Sequence, residues 1–424
     1  MNESAAAPPL SSSGETPTYP FYQSQLLRVF ESLTEGRLRL ELPDGSAREF
    51  GQTGSAVNAR ITVLNPVFFQ KCVLYGDIGF GESYVDGDWE TDSIERVIAW
   101  AIANVNRLPS MSGSTARSLF FNILKGYNRI QHRLRPNSVA ISRRNIADHY
   151  DLGNEFYRLW LDPSLTYSSA RYTLPGQSLE SAQFSKYDAL CQKLRLQSTD
   201  HVLEIGTGWG GFSLHAAKHY GCRVTTTTIS KAQFELARQR FEEAGLSNRI
   251  EPLLEDYRHL SGSFDKIVSI EMMEALGDRY LKAYLVKLNH LLKRDGLIGL
   301  QFITAPDNRH AQLRRGVDWI QKHIFPGSLL LSLNRINEIF RRTSDLTLHE
   351  LEDLGASYAK TLHVWWERFN ARLDAVGALG FDGRFIRKWN YYLQYCEAAF
   401  ASRNISVVQA IYTRPNNPVL HTAF

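Results

Sequence analysis

The sequence predicts an α/β fold with a mainly parallel sheet in its C-terminal part and a smaller mixed α+β domain before it. From about residue 185 onwards, apolar strand-like runs alternate with helical segments, which is the pattern of an α/β sheet. A glycine-rich turn joins one of these strands to a helix within residues 201–220. The chain has 424 residues, which is enough for two or three domains and a sizeable core.

The glycine-rich turn is the most informative segment. Val202, Leu203 and Ile205 are typical of a buried strand, and residues 212–220 have helical composition. The glycines between them are Gly206, Gly208, Gly210 and Gly211. Backbone without side chains at a helix N-terminus can approach a nucleotide-like ligand closely, so we predict a cofactor site here. The alternative is a tight strand–helix turn that binds nothing.

Three observations favour S-adenosylmethionine over a dinucleotide. Glu204 lies inside the strand, where it would repel a pyrophosphate but attract a sulfonium and an amino group. The loop has no Lys-Ser/Thr pair of a P-loop. Further along, Asp256 is placed to meet an adenine amine and Tyr257 to stack on the ring.

The second strand of the predicted sheet, within residues 221–230, lacks the carboxylate that commonly binds ribose hydroxyls. Thr228, Ser230 and Gln233 are the polar groups available there, and Ser230 is also a suitable N-cap for a helix over residues 231–245.

Composition excludes several classes of protein. No run of 18 or more apolar residues is present, so no spanning helix is predicted. The small, polar N-terminal residues lack the order of a signal peptide, and the cysteines Cys72, Cys191, Cys222 and Cys396 have no metal-binding spacing. We therefore expect a cytoplasmic protein with reduced thiols and no metal site.

A basic segment separates the two predicted domains. Between Glu95 and Asp148 there is no acidic residue, whereas nine basic residues occur, and the bulky apolar run 119–127 lies among them. This combination suits an anionic membrane surface. Nucleic acid is the rival partner, which we do not predict, and a solvated linker is the plain alternative.

The rest of the chain divides as follows. Residues 1–20 read as a disordered tail, 21–110 as the small α+β domain, 111–144 as the basic linker and 145–424 as the cofactor domain. Strands are predicted at 37–42 and 59–64, and the Gly- and Asp-rich stretch 76–89 has a composition that favours turns. Aromatic, basic helices form an insertion over about 305–400, and a strand at 406–412 is expected to return to the sheet.

Several motifs occur in the order found in one family. They are Asn145–Phe156, Leu165–Ala170, Leu179–Gln183, the glycine loop, Thr228–Gln233, Ile270–Gly277 and Ile324–Gly327. The chain thus resembles the cyclopropane-fatty-acyl-phospholipid synthases and their mycolic-acid relatives, over about residues 58–414. The resemblance implies a Rossmann-like class I methyltransferase fold with a helical lid. It also implies methyl transfer from S-adenosylmethionine to a cis double bond of a phospholipid acyl chain, followed by proton loss that closes a cyclopropane ring.

The resemblance also implies site residues. Those matching cofactor contacts are Tyr167, Ser168, Gly206, Gly208, Thr228, Ile229, Gln233, Asp256 and Tyr257, to which the loop itself adds Glu204 and Gly210. In the family a bicarbonate ion removes the proton and is held by Cys, Glu, His, Tyr and the backbone at Ile. Here Glu274, Tyr358 and Ile303 match, but Ser169 replaces the Cys and Gln301 replaces the His. Both replacements can still hydrogen-bond an oxyanion, although the cationic form of His is lost.

We therefore predict a cytoplasmic enzyme that binds peripherally to the inner membrane face, with a homodimer as the family's common assembly. The same fold could instead give methyl-branched or methylene chains without ring closure, methylate a small soluble molecule, or bind lipid with an inactive cofactor fold. Considered without the resemblance, Glu274 could be a solvated helix residue and Tyr358 a core residue.

Overall fold

The structure is a computed structural model that describes residues 20–52, 54–108, 152–314 and 316–420. The basic linker predicted at 111–144 and nearly all of the predicted tail lie outside the described residues. In the part of the chain that is described, no helix combines the length and apolar character needed to cross a membrane.

The N-terminal domain is a four-stranded sheet packed against three helices. Strand β1 (Arg37–Glu41) pairs antiparallel with β2 (Ala47–Gly51) and parallel with β3 (Asn58–Val63), which in turn pairs with the short β4 (Trp89–Glu90). The helices are α1 (Pro20–Glu31), α2 (Val67–Val85) and α3 (Ile94–Ala103). Both strands that the sequence predicts here are therefore present, within a residue or two of their predicted ends.

The expectation of turns in the Gly- and Asp-rich stretch 76–89 is wrong, because most of this stretch belongs to helix α2. Only Gly76 departs from helical geometry, with φ 61° and ψ −133°, and it kinks the helix. A Cβ on Gly79 would lie 2.1 Å from the Lys71 carbonyl oxygen, and one on Gly81 would lie 2.4 Å from the Trp319 ring. These two glycines are there for close packing, which composition cannot distinguish from turn formation.

The larger domain contains a seven-stranded sheet in the order β10-β11-β9-β8-β5-β6-β7. Its strands are β5 (His201–Ile205), β6 (Arg223–Thr228), β7 (Ile250–Leu254), β8 (Phe264–Ile270), β9 (Leu292–Thr304), β10 (Thr347–Asp353) and β11 (Ser406–Thr413). Strands β5 to β9 are parallel, whereas β11 lies antiparallel between β9 and β10. The strand that the sequence places at 406–412 does return to the sheet.

The strand order reverses between β5 and β8. From β5 the chain adds β6 and β7 on one side of the sheet, and then β8 and β9 on the other. The crevice at the carboxyl ends of two such strands is where open α/β sheets bind ligands. The fold therefore directs attention to the segments that follow β5 and β8.

Helices cover both faces of this sheet. Successive strand residues point to opposite faces, and accordingly Val202 and Leu203 belong to two different apolar clusters. The helices are α4 (Asn154–Arg158), α5 (Leu179–Lys193), α6 (Gly211–Tyr220), α7 (Lys231–Glu243), α8 (Asp278–Leu291), α9 (Asp307–Leu313), α10 (Trp319–His323), α11 (Leu333–Thr343), α12 (Gly355–Asn370), α13 (Leu373–Ala378) and α14 (Gly383–Ala401). The Ser230 hydroxyl accepts from Gln233 N at 3.3 Å, so it caps α7 as predicted.

The N-terminal domain and the C-terminal helices share one apolar core. Polar contacts join the same surfaces: the Ile94 amide donates to Gln394 Oε1 at 3.1 Å. Arg387 on α14 donates to the Tyr84 carbonyl at 2.7 Å, to the Trp89 carbonyl at 3.1 Å and to Glu90 Oε1 at 2.5 Å. The two domains are therefore fastened together along α14.

We expect Arg387→Ala to lower the free energy of unfolding by about 2–3 kcal/mol, because the Tyr84 and Trp89 carbonyls and the Glu90 carboxylate lose their hydrogen-bond donor. Arg384→Ala on the same helix is the matched control. Its side chain is 65% exposed and, among the described residues, forms an ion pair only with Asp86, so its loss should cost less than about 1 kcal/mol. Urea unfolding followed by fluorescence measures both, and equal losses would contradict this account of the interface.

Candidate active site

A cavity opens at the carboxyl ends of β5, β6, β7 and β8. Ten of the eleven residues predicted to contact the cofactor line it. They are Tyr167, Ser168, Glu204, Gly206, Gly208, Thr228, Ile229, Gln233, Asp256 and Tyr257. These residues are spread over 91 positions of the sequence, from Tyr167 to Tyr257. The parallel strands bring those from Glu204 onwards to one edge of the sheet, whereas Tyr167 and Ser168 come from the segment between α4 and α5.

The glycines of the loop have different roles. A Cβ added to Gly208 would meet no atom within 4 Å, so the backbone there borders open space. A Cβ on Gly210 would lie 2.5 Å from the Phe241 ring, and φ at this residue is 85°. Gly210, the eleventh predicted residue, is not among the cavity-lining residues, and its requirement for glycine comes from its left-handed backbone and its packing against Phe241 of helix α7.

Glu204 is buried at the base of the cavity. Its Oε2 accepts hydrogen bonds from Ser213 Oγ at 2.5 Å and Thr226 Oγ1 at 2.6 Å. Burial raises the pKa of Glu204 to about 7, against the effect of those two bonds. A cationic group bound in the cavity would favour its ionised form.

The polar side chains that line the cavity after strands β6 and β7 are held in position by hydrogen bonds. Thr228 Oγ1 donates to Gln233 Oε1 at 2.9 Å, and the Asp256 carboxylate accepts from the Arg258 amide at 3.0 Å. The buried Tyr257 hydroxyl has no hydrogen-bond partner among the described residues. Open space at Gly208, a buried hydroxyl without a partner and acidic groups at both ends fit a nucleoside that carries a cationic tail, so the residues present fit S-adenosylmethionine.

Tyr167 and Ser168 form the opposite wall. The Tyr167 and Tyr392 hydroxyls lie 2.8 Å apart, and Ser168 Oγ accepts from Lys186 Nζ at 2.8 Å. Lys186 is fully buried, and burial lowers its pKa to about 7. A buried cation next to the cavity requires a buried anion nearby.

The five predicted catalytic residues do not line the nucleotide cavity itself. Ser169, Gln301 and Ile303 come together behind it, joined by Tyr358 and Glu274. The Ile303 amide donates to Glu274 Oε1 at 2.5 Å, and Glu274 Oε2 has no partner among the described residues. The alternative of a solvated Glu274 is wrong, because that oxygen is buried.

The centre of this group is Glu271, which the sequence analysis did not select. Its Oε1 accepts from Gln301 Nε2 at 2.8 Å and from the Ser169 amide at 2.9 Å. Glu271 also lines the cavity, so it connects the cofactor side with the five predicted residues. A signal was available: Glu271 lies in the quoted motif and directly follows the apolar strand β8, at the ligand-binding edge of the sheet.

The two neighbouring carboxyls affect each other's protonation. Burial raises the pKa of Glu274 to about 8, and the Glu271 charge adds to the rise. Burial raises the pKa of Glu271 as well, while the bonds from Gln301 and Ser169 and the Lys186 charge oppose the rise. The charge of Glu271 therefore favours the protonated form of Glu274, and the two carboxyls titrate together.

Aromatic side chains pack around Tyr167, which lines the cavity. Its ring centroid lies 5.4 Å from those of Tyr157, Trp160 and Trp365, and 6.5 Å from that of Phe325. Trp160 and Trp365 are fully buried. Such a wall excludes water and presents π faces that attract a cation.

Comparison with known proteins gives consistent matches. The mycolic acid cyclopropane synthetase family matches residues 138–410. The tuberculostearic acid methyltransferase of Mycobacterium tuberculosis is 39% identical over 355 residues, covering 81% of this chain and 80% of that protein. The cyclopropane-fatty-acyl-phospholipid synthase of Escherichia coli is 35% identical over 373 residues, covering 86% and 91%.

Solved structures agree in fold. Mycolic acid cyclopropane synthase CmaA1, in complex with SAH and CTAB, superposes with a TM-score of 0.60 at 29% identity. The match covers 64% of this chain and 98% of that one. The large domain is thus a class I methyltransferase fold with S-adenosylmethionine as its cofactor, and the chain belongs to the mycolic acid cyclopropane synthetase family of methyltransferases.

Proposed function

We propose that the enzyme methylates a cis double bond in the acyl chain of a membrane phospholipid, and that proton loss then closes a cyclopropane ring. One observation carries the proposal: buried carboxyls and an aromatic enclosure adjoin the cofactor cavity at Glu271 and Tyr167. Methyl transfer to oxygen or nitrogen needs no such enclosure, whereas a carbocation must be protected from water. The names of the Escherichia coli and mycobacterial relatives support a lipid substrate.

Each part of the site has a task in this reaction. When bound, the cofactor supplies a methyl group on a sulfonium centre. Glycines 206 and 208, with Gln233, Asp256 and Tyr257, position the nucleoside part. The aromatic wall around Tyr167 excludes water and stabilises positive charge on the acyl chain. The carboxyl pair then accepts a proton from the methylated chain.

A second product is favoured by one observation. The relative that is 39% identical is named a methyltransferase of tuberculostearic acid, not a cyclopropane synthase. The carbocation formed in the same site could instead lose a proton to leave a double bond, which gives a methylene group or a methyl-branched unsaturated chain without a ring. Both products require the same cavity and the same carboxyls.

Product identification tests the proposal. The enzyme is incubated with methyl-labelled S-adenosylmethionine and vesicles of cis-monounsaturated phosphatidylethanolamine and phosphatidylglycerol. We expect label in the lipid, a mass gain of one methylene unit and upfield cyclopropyl proton signals. Olefinic methylene signals would identify the second product. Label found only in soluble acceptors, or cofactor binding without any methylated lipid, would contradict the proposal.

Glu274→Gln tests the protonation of the carboxyl pair. The folded pKa of about 8 lies above the ordinary value of 4.5, so the wild-type carboxyl stabilises the fold most below about pH 4.5 and loses that contribution as the pH rises through 8. The glutamine variant has no such titration. We expect its melting temperature to rise relative to wild type between pH 5 and pH 8, by the equivalent of about 3–4 kcal/mol.

Turnover provides a second measurement on Glu274. Glutamine can accept from the Ile303 amide and is uncharged, as the protonated carboxyl is, so Glu274→Gln should keep most activity at neutral pH. Glu274→Leu removes the acceptor and should lower kcat by about 10²-fold. Equal losses in the two variants would show that an ionised Glu274 is required.

We also propose that the protein is cytoplasmic and docks on the inner membrane face through its basic linker, with homodimer formation as in the predicted assembly. Replacing Arg133, Arg135, Arg143 and Arg144 by glutamine should weaken binding to anionic vesicles by at least about tenfold, since each cation near such a surface contributes about 1 kcal/mol. Cosedimentation at low salt measures this. The control replaces the same four residues by lysine, and unchanged binding of the glutamine variant would make the segment a plain linker.

A further inference from the structure

We propose that the side-chain carboxylate of Glu271 takes the place of the external anion, so that this enzyme removes the proton with its own residue and needs no bicarbonate. The inference rests on the proposed function being methylation at an acyl double bond. It adds a catalytic residue to the reaction and removes a cofactor from it.

The groups that the resemblance assigns to bicarbonate are already bonded to carboxylates of the chain. Gln301 Nε2 and the Ser169 amide donate to Glu271 Oε1. The Tyr358 hydroxyl is a third hydrogen-bonding neighbour of Glu271, and the Ile303 amide donates to Glu274. A bicarbonate ion could reach these donors only by displacing Glu271, so the residues present do not fit that ion.

The hydrogen-bond network behind Gln301 fixes which way its amide faces. Gln301 Oε1 accepts from Gln409 Nε2 at 3.1 Å, which leaves the NH₂ group of Gln301 directed at Glu271. Gln409 in turn accepts from Lys193 Nζ at 2.9 Å. A neutral amide oriented in this way is a donor to a carboxylate, and the loss of a histidine at this position is thereby explained.

Charge also opposes a second anion. Glu271 and Glu274 already share the space, and the buried Lys186 is the cation whose charge stabilises Glu271. Asp162 and Glu204 also act on Lys186, so its single positive charge already faces several acidic groups. Adding bicarbonate here would bring like charges together in a medium of low dielectric constant, which is unfavourable.

The backbone at Glu271 provides independent support. Its φ is 48°, in the left-handed region that residues with a Cβ seldom adopt, and its amide donates to the Gln301 carbonyl at 2.7 Å. Such conformations persist where the surrounding structure enforces them and are concentrated at functional sites. Glycine would fit this backbone with less strain, so Glu271→Gly removes the carboxylate without forcing a new conformation.

The step balances without a further reactant. After the methyl group has joined the acyl chain, a Glu271 carboxylate oxygen takes one proton from that added methyl carbon. The electron pair of the broken C–H bond forms the third side of the ring. For a methylene product, a hydride first moves from the methyl-bearing carbon to the neighbouring cationic carbon, and the same electron pair then forms the double bond. Glu271 is left as a neutral acid, and its proton passes to solvent before the next turnover.

Binding of bicarbonate is the first test, because it needs no turnover. Isotope-labelled bicarbonate is titrated into wild type and Glu271→Gly and followed by carbon NMR. We expect binding to the glycine variant, where the donors of Ser169 and Gln301 are freed, and none to wild type. Binding to wild type would overturn the inference, and so would a glycine variant of normal melting temperature that binds no bicarbonate.

Activity in carbon-dioxide-depleted buffer is the second test. Wild type should form methylated lipid at the same rate with and without added bicarbonate. Glu271→Gly should lose about 10²-fold in kcat and recover part of it when bicarbonate is added, and Glu271→Gln should lose as much without recovery. A bicarbonate requirement in wild type, or full turnover by the glutamine variant, would overturn the inference. Failure of wild type to methylate any lipid would instead refute the proposed function. In that case the binding experiment would still show whether Glu271 occupies the place of the anion.

Discussion

The parallel pairing of β5 with β8 places the glycine loop next to Glu271. Glu204 pairs in register with Val268, so the two strands end side by side. The glycine loop leaves from one strand and Glu271 from the other. Because β6, β7 and β9 run in the same direction, their last residues arrive at the same edge. The cofactor cavity and the carboxyl pair are consequently two sides of one crevice.

Burial then determines the chemistry of those groups. Glu204, Glu271, Glu274 and Lys186 would be ordinary charged side chains in water, but desolvation moves the pKa of each toward its neutral form. At Glu271 the hydrogen bonds from Gln301 and Ser169 and the charge of Lys186 oppose that rise in pKa.

The N-terminal domain contributes to this enclosure from a distance. Its core continues into the helices that carry Trp365 and Trp389, and Arg387 fastens it to α14. Gly81 allows the Trp319 ring to approach helix α2 closely. Disruption of this interface would also disturb the aromatic residues around Tyr167, so the N-terminal domain supports the structure of the larger domain.

The sequence by itself determined the parallel sheet and the glycine loop, because alternating apolar runs and glycine spacing are local signals. Most of the predicted cofactor contacts came from motif resemblance, and ten of the eleven line the cavity. The sequence also identified the residues that gather behind the cavity, through motif resemblance. Only the tertiary structure showed that Gly210 packs on Phe241, that residues 76–89 are mostly helix, and that Glu271 bonds the donors expected to hold an anion. Those outcomes depend on which side chains meet across strands far apart in the chain, and on a backbone angle at Glu271 that no composition reveals. These three features depend on which residues are close in space, and the order of residues along the chain does not give those distances.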